Sequence, residues 1–126
     1  MRGEGGGGRQ DLRERTKNYA LRVIRLYRAL PRGDGVGQVL GRQLLRSGTS
    51  VAAHYREACR AKSNLDFVSK LEGAQQELDE SDLWLELLSD ANVVKPQLVV
   101  PLRQETNELI AMFVTMTKHV KSRRPK

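Results

Sequence analysis

The chain has 126 residues, with 22 Lys and Arg against 15 Asp and Glu, a formal charge of +7 and a pI near 10.0. That length supports one domain with a real core and leaves little room for two. A single cysteine, Cys59, excludes an intramolecular disulfide and fits a reducing compartment. With no long apolar run and no apolar signal core at the N-terminus, a cytoplasmic protein without a membrane partner is expected.

Residues 1–10, MRGEGGGGRQ, offer no side chain to anchor on a core and read as a disordered, Gly-rich leader. From residue 11 to 30, Leu12, Tyr19, Ala20, Val23, Leu26, Tyr27 and Leu30 recur at helical spacing, while Arg22, Arg25 and Arg28 point away from them. The run PRGDGVG at 31–37 stops this first helix.

A second helix is expected over 37–62. At about 100° per residue it places Leu40, Leu44, Val51, Ala52, Tyr55 and Cys59 on one side, with Arg42, Arg46, Arg56 and Arg60 on the other. Cys59 is therefore read as a buried spectator thiol. Ser63 is a good N-cap for the next helix, and Asp66 stands three residues on, where its charge suits the helix dipole.

The third helix, to about residue 90, has the cleanest period in the chain: Phe67, Leu71, Ala74, Leu78, Ser81, Leu85 and Leu88 alternate steps of four and three. Trp84 and Leu87 widen its apolar zone, which suggests a second contact between subunits. Asn92 tolerates the left-handed conformation that ends a helix, and Pro96 fits the first turn of a fourth. Pro101 predicts either a kink or a true start near 101, after which Leu102, Leu109, Met112, Phe113, Met116 and Val120 carry the helical period to about 121. The expected fold is all-α, an up-down-up-down four-helix bundle over residues 11–121 followed by a basic tail at 122–126.

Nothing in this pattern assembles an enzyme. His54 and His119 are far apart and lack a nucleophile motif, and GEGGGG precedes no strand, so it cradles no phosphate. Three i,i+3 pairs, His54/Glu57, Glu77/Glu80 and Glu105/Glu108, imitate a bundle metal site, but the order of His and Glu is wrong and the first helix supplies only Asp11 and Glu14. Charge pairs to neighbouring Arg and Lys explain these acids at least as well. No catalytic residue, metal or cofactor is expected.

The charge is unevenly spread: residues 1–62 sum to +9, 63–90 to −7 and 91–126 to +5, and within 1–62 Arg outnumbers Lys 12 to 2. Arg forks suit phosphate oxygens, and Tyr19, Tyr27 and Tyr55 all sit on apolar arcs, so backbone-directed nucleic-acid binding is expected rather than base stacking. The candidate contacts are Arg22, Arg25, Arg42, Arg46, Arg56 and Arg60, assisted by Lys118, Lys121, Arg123 and Arg124. The competing reading is an interaction scaffold whose arginines pair with the acidic third helix of a neighbouring subunit.

The stretch QLLRSGTSVAAHYREACRAKSNLDFVSKLEGAQQELDESDLWLELL resembles the bacterial four-helix-bundle family of 23S rRNA intervening-sequence proteins, which includes the accessory variability determinant of diversity-generating retroelements. The likeness is strongest at Arg46-Ser47-x-x-Ser50-Val51, Arg56-Glu57-Ala58, Ser63 with Asp66-Phe67, and Glu77-x-x-Glu80 leading to Trp84-Leu85. The resemblance implies a homopentamer that binds nucleic acid, RNA foremost, with a reverse transcriptase as a further partner in the retroelement branch. One departure is His54, where the family usually has Asn.

Overall fold

The protein is described by a computed structural model over residues 4–123, with side chains from residue 11 onward. Its elements are four helices, α1 Glu4–Ala29, α2 Gly35–Cys59, α3 Asn64–Asp90 and α4 Pro96–Ser122, and no strand occurs among the described residues. Each helix packs on the next in sequence and α4 returns to α1 with the slimmest of the four contacts, which is the up-down-up-down order. No helix among the described residues is long and apolar enough to cross a membrane.

The third-helix period is realised in full: Phe67, Leu71, Ala74, Leu78, Ser81, Leu85 and Leu88 are all buried. Opposite them lie Tyr19 and Val23 of α1, Leu44, Val51 and Tyr55 of α2, and Leu109 and Phe113 of α4, each fully buried. Tyr55 and Phe113 stack across the bundle at 5.7 Å with planes 10° apart.

At one level of this core, hydroxyl groups bond across the helices. Ser47 and Ser81 share a hydrogen bond of 2.7 Å between α2 and α3, and Tyr19 and Thr106 share another of 2.7 Å between α1 and α4. Thr106 also donates to the Leu102 carbonyl. Burial pushes the Tyr19 phenol up to about 12, opposed in part by its hydrogen bonds to Thr106 and Ser81.

Helix ends explain most departures from the expected boundaries. Asp34 caps α2 by accepting from the Gly37 amide at 3.0 Å, so this helix starts earlier than residue 37. It also stops at Cys59 rather than Lys62, because Ser63 must be extended (φ −156°, ψ 164°) to accept the Asp66 amide and cap α3. The chain tightens before leaving, Arg60 N–H donating to Glu57 O and Ala61 N–H to Ala58 O. Asn92 takes φ 60°, and the Val93 and Val94 amides return to the Leu88 carbonyl.

Helix α4 runs unbroken from Pro96 through Pro101. Both Gln97 and Pro101 are exposed, so water can solvate the carbonyl that loses its amide partner. Helix α1 begins at Glu4, taking in backbone that composition assigns to a disordered leader. Extending a helix needs no new nucleus, although each glycine costs about 1 kcal/mol relative to alanine. Residues 1–3, and 124–126 of the basic tail, lie outside the described residues.

Glycines set the α1–α2 approach. A Cβ on Gly41 would collide with Leu30 and touch Tyr27, and one on Gly48 would lie 2.8 Å from a γ-carbon of the fully buried Val23. Gly48→Ala is therefore expected to destabilise by about 1–2 kcal/mol, overpacking outweighing the gain in helix propensity. Gly35→Ala, with nothing within 4 Å, should be neutral or slightly stabilising. Denaturant midpoints of the two variants decide, and equal midpoints would refute the close approach.

Tyr19 gives a pH prediction. Its folded-state value lies above the unfolded 10.0, so its contribution is complete below pH 10 and is lost as pH rises towards 12. The stability of the wild type relative to Tyr19→Phe should fall by about 1.4 kcal/mol per pH unit in that window. Urea unfolding of both proteins across it measures the difference, and parallel curves would count against a buried, protonated phenol.

Candidate nucleic-acid interface

Of the ten cations proposed from sequence, the nine that are described do not converge on one surface. Arg46 lies closest to a structural role: its Nη1 is 3.3 Å from Glu77 Oε1 and its Nη2 2.7 Å from Glu80 Oε1, both on α3 of the same chain. Beneath it runs the Ser47–Ser81 bond, while Ser50 Oγ donates to the Arg46 carbonyl. Two carboxylates thus neutralise this guanidinium, and it is a poor site for phosphate.

The other i,i+3 acids also meet cations: Glu105 and Glu108 hold an arginine, and Glu57 lies 3.6 Å from Lys70. Arg15 of α1 holds Glu105 at 2.6 Å and Glu108 at 3.0 Å on α4, and bonds to Glu105 chiefly hold its guanidinium pKa above the ordinary value. His54 stands 3.7 Å from Glu57 and 3.8 Å from Glu77, beside Gly73, with Nδ1 buried and unpartnered. No group of three His, Cys, Asp or Glu that could hold a metal ion occurs among the described residues.

Helix α3 has further internal partners for its acids. Arg103 forks onto Asp82 at 2.9 and 3.1 Å, with Asp82 the main reason its pKa is raised, and lies 3.8 Å from Glu86. Lys121 meets Glu72 at 2.9 Å, so this sequence candidate is also spoken for. The acidic helix is answered within its own chain to this extent.

What remains without a carboxylate partner among the described residues falls into three places. Arg22 and Arg25 rim a 290 Å³ groove between α1 and α4 floored by Leu26, Ala29, Leu98 and Leu102. Lys118 is exposed on α4, and Arg123 lies 3.1 Å from His119 Nε2; Arg124 falls outside the described residues. The third and largest set follows the α1–α2 seam.

Arg42 on α2 and Arg60 at its C-cap are exposed, and Arg56 is half-buried with its Nε enclosed and unpartnered. The contacts of Gly41 with Tyr27 and Leu30, and of Gly48 with Val23, fix the antiparallel register of α1. By that register Arg28 falls near the level of Arg42, Lys17 near that of Arg56 and Arg13 near that of Arg60, so cations of the two helices come level along the seam. At the upper end Arg28 and Arg32 line a 500 Å³ cavity with Tyr27 and Gln38. Arg13, Lys17, Arg28 and Arg32 were not among the sequence candidates, because only the register and the turn bring them level with the cations of α2. At 1.5 Å per residue, Arg13 to Arg28 spans about 22 Å, the length of about six phosphates along one strand of a duplex.

A search of curated proteins finds no match. A crystal structure of a protein of unknown function from the S23 ribosomal protein family of Bacteroides thetaiotaomicron superposes with a TM-score of 0.81, at 30% identity, covering 87% of this chain and 97% of that one. The family model of the 23S rRNA-intervening sequence proteins matches residues 9–115, which takes in all of α2 and α3 and most of α1 and α4. A match over that much of the chain shows that it belongs to the 23S rRNA-intervening sequence protein family.

Proposed function

We propose that this chain is a non-enzymatic, homo-oligomeric bundle whose α1–α2 seam grips the phosphate backbone of nucleic acid, RNA foremost. The observation that carries this is selective pairing: Glu72, Glu77, Glu80 and Asp82 of α3 are engaged by Lys121, Arg46 and Arg103, while Arg42 and Arg60 meet no carboxylate among the described residues. Cations left in a row without internal partners attract a polyanion, and arginine forks contact phosphate oxygens without reading sequence. Self-association is supported by Val36, Val39 and Leu83, which are 60%, 53% and 46% exposed. A reverse transcriptase is the protein partner that the retroelement resemblance adds, and it would meet the nucleic acid already held on the seam.

A second reading, a scaffold in which the seam arginines pair with α3 of a neighbouring subunit, is favoured by Asp79 and Asp90, exposed acids with no ion pair among the described residues. The two readings separate on one variant. Arg42→Glu should weaken RNA binding and leave the oligomer mass unchanged in light scattering; dispersal of the oligomer would support the scaffold instead.

Binding to labelled RNA, titrated between about 50 and 200 mM salt, should give a log–log slope near −4 for single strands and near −5 for duplex if six phosphates are engaged. Arg42→Ala with Arg60→Ala should reduce that slope by about 1 to 2 in magnitude. Arg46→Ala should leave the slope alone and cost at most about 1 kcal/mol of stability, its ion pairs being exposed. A flat salt response, or equal effects of Arg42 and Arg46, would defeat the proposal.

A further inference from the structure

At the end of the bundle opposite the α1–α2 turn, the link between α2 and α3 and the last turns of α4 enclose a cavity of about 490 Å³. This lies within the range of about 300–1,000 Å³ typical of small-ligand sites. Its floor is apolar: Phe67 is buried, and Met116 and Val120 are half-buried. Its mouth carries Lys62, His119 and Arg123, and no carboxylate lines it. Neither Lys62 nor Arg123 has an acidic partner among the described residues, and Arg123 Nη1 rests 3.1 Å from His119 Nε2, which draws the two groups to one side of the opening. A smaller cavity of about 220 Å³, lined by Asn64, Val120 and Arg123, prolongs it.

We propose that this cavity binds a phosphomonoester attached to a planar or apolar body, the chemistry of a nucleoside monophosphate. The phosphate sits among Lys62, His119 and Arg123, which can offer charge-assisted hydrogen bonds, and the body lies on Phe67, Met116 and Val120. Both parts are needed. A bare inorganic anion would leave the apolar floor uncovered, and an uncharged apolar ligand would leave the cations at the mouth without a counter-charge. The site shares no residue with the cations of the α1–α2 seam, so it goes beyond the proposed backbone grip and stands or falls separately.

The same chemistry could arrive as a free mononucleotide or as the 5′-phosphate end of a strand. Calorimetric titration of the full chain with adenosine 5′-monophosphate, adenosine and inorganic phosphate tests the site itself. The monophosphate should bind at one site per chain, with adenosine and inorganic phosphate each about tenfold weaker or worse. Lys62→Ala combined with Arg123→Ala should weaken the monophosphate about tenfold while leaving the thermal melt unchanged, since both side chains are exposed. Arg42→Ala, on the seam, should leave monophosphate binding intact.

Competition then identifies the source. Displacement of the monophosphate by a 5′-phosphorylated oligoribonucleotide, but not by its 5′-hydroxyl counterpart, assigns the site to a strand end; displacement by neither assigns it to the free mononucleotide. Absence of monophosphate binding, equal affinity for inorganic phosphate, or indifference to the Lys62 and Arg123 substitutions would each overturn the proposal.

Discussion

One hydrogen-bonded level inside the bundle governs the rest of the molecule. Ser47 bonds to Ser81 and Tyr19 to Thr106, one hydroxyl from each helix in a core filled mainly by aliphatic and aromatic groups. An unpaired buried hydroxyl costs about 1–3 kcal/mol, so sliding any helix past its neighbours strands a partner and is penalised. Apolar packing alone tolerates such shifts far better. The hydroxyl level therefore fixes the axial register, and the register decides where each surface charge emerges. Arg46 immediately precedes Ser47, while Glu77 and Glu80 lie within one helical turn before Ser81, so the serine pair delivers the arginine to its two acids.

This dependence separates what the sequence reveals from what it hides. The heptad of α3, the Ser63 cap and the left-handed Asn92 are local or periodic signals, and each appears where periodicity and capping chemistry place it. Thr16, Ser47, Thr106 and Thr117 are buried although a hydropathy pattern marks them as polar, because the partner that makes burial tolerable lies on another turn or another helix. The ends of α2 shifted for a similar reason. Asp34 and Ser63 compete for the chain at its two ends, and cap geometry prevails over the apolar period.

Charge was legible in kind and illegible in destination. Arg42 and Arg46 are one turn apart on the same helix, and nothing local distinguishes them, yet one is clasped by two glutamates and the other meets no acid among the described residues. The same holds on α1, where Arg15 is bound to Glu105 and Glu108 while Arg13, two residues away, lies on the seam. A residue's neighbours in sequence state its charge; its neighbours across a helix pair decide whether that charge is available.

The Arg46 clasp is too exposed to hold the fold together, since Arg46 is 53% exposed and such pairs contribute at most about 1 kcal/mol. Its larger effect is electrostatic. Glu77 and Glu80 lie on the flank of α3 that faces α2, and left unpaired they would lower the potential over the arginines of that helix, since interactions at this range are only partly screened at physiological salt. With Arg46 bound to them, and with Arg103 and Lys121 holding the acids that face α4, α3 is largely neutralised where it meets both neighbours. The positive field of the α1–α2 seam is then set by its own cations rather than diluted by the acidic helix behind it. An arginine that touches no ligand thereby contributes to the proposed interface through the acids it occupies.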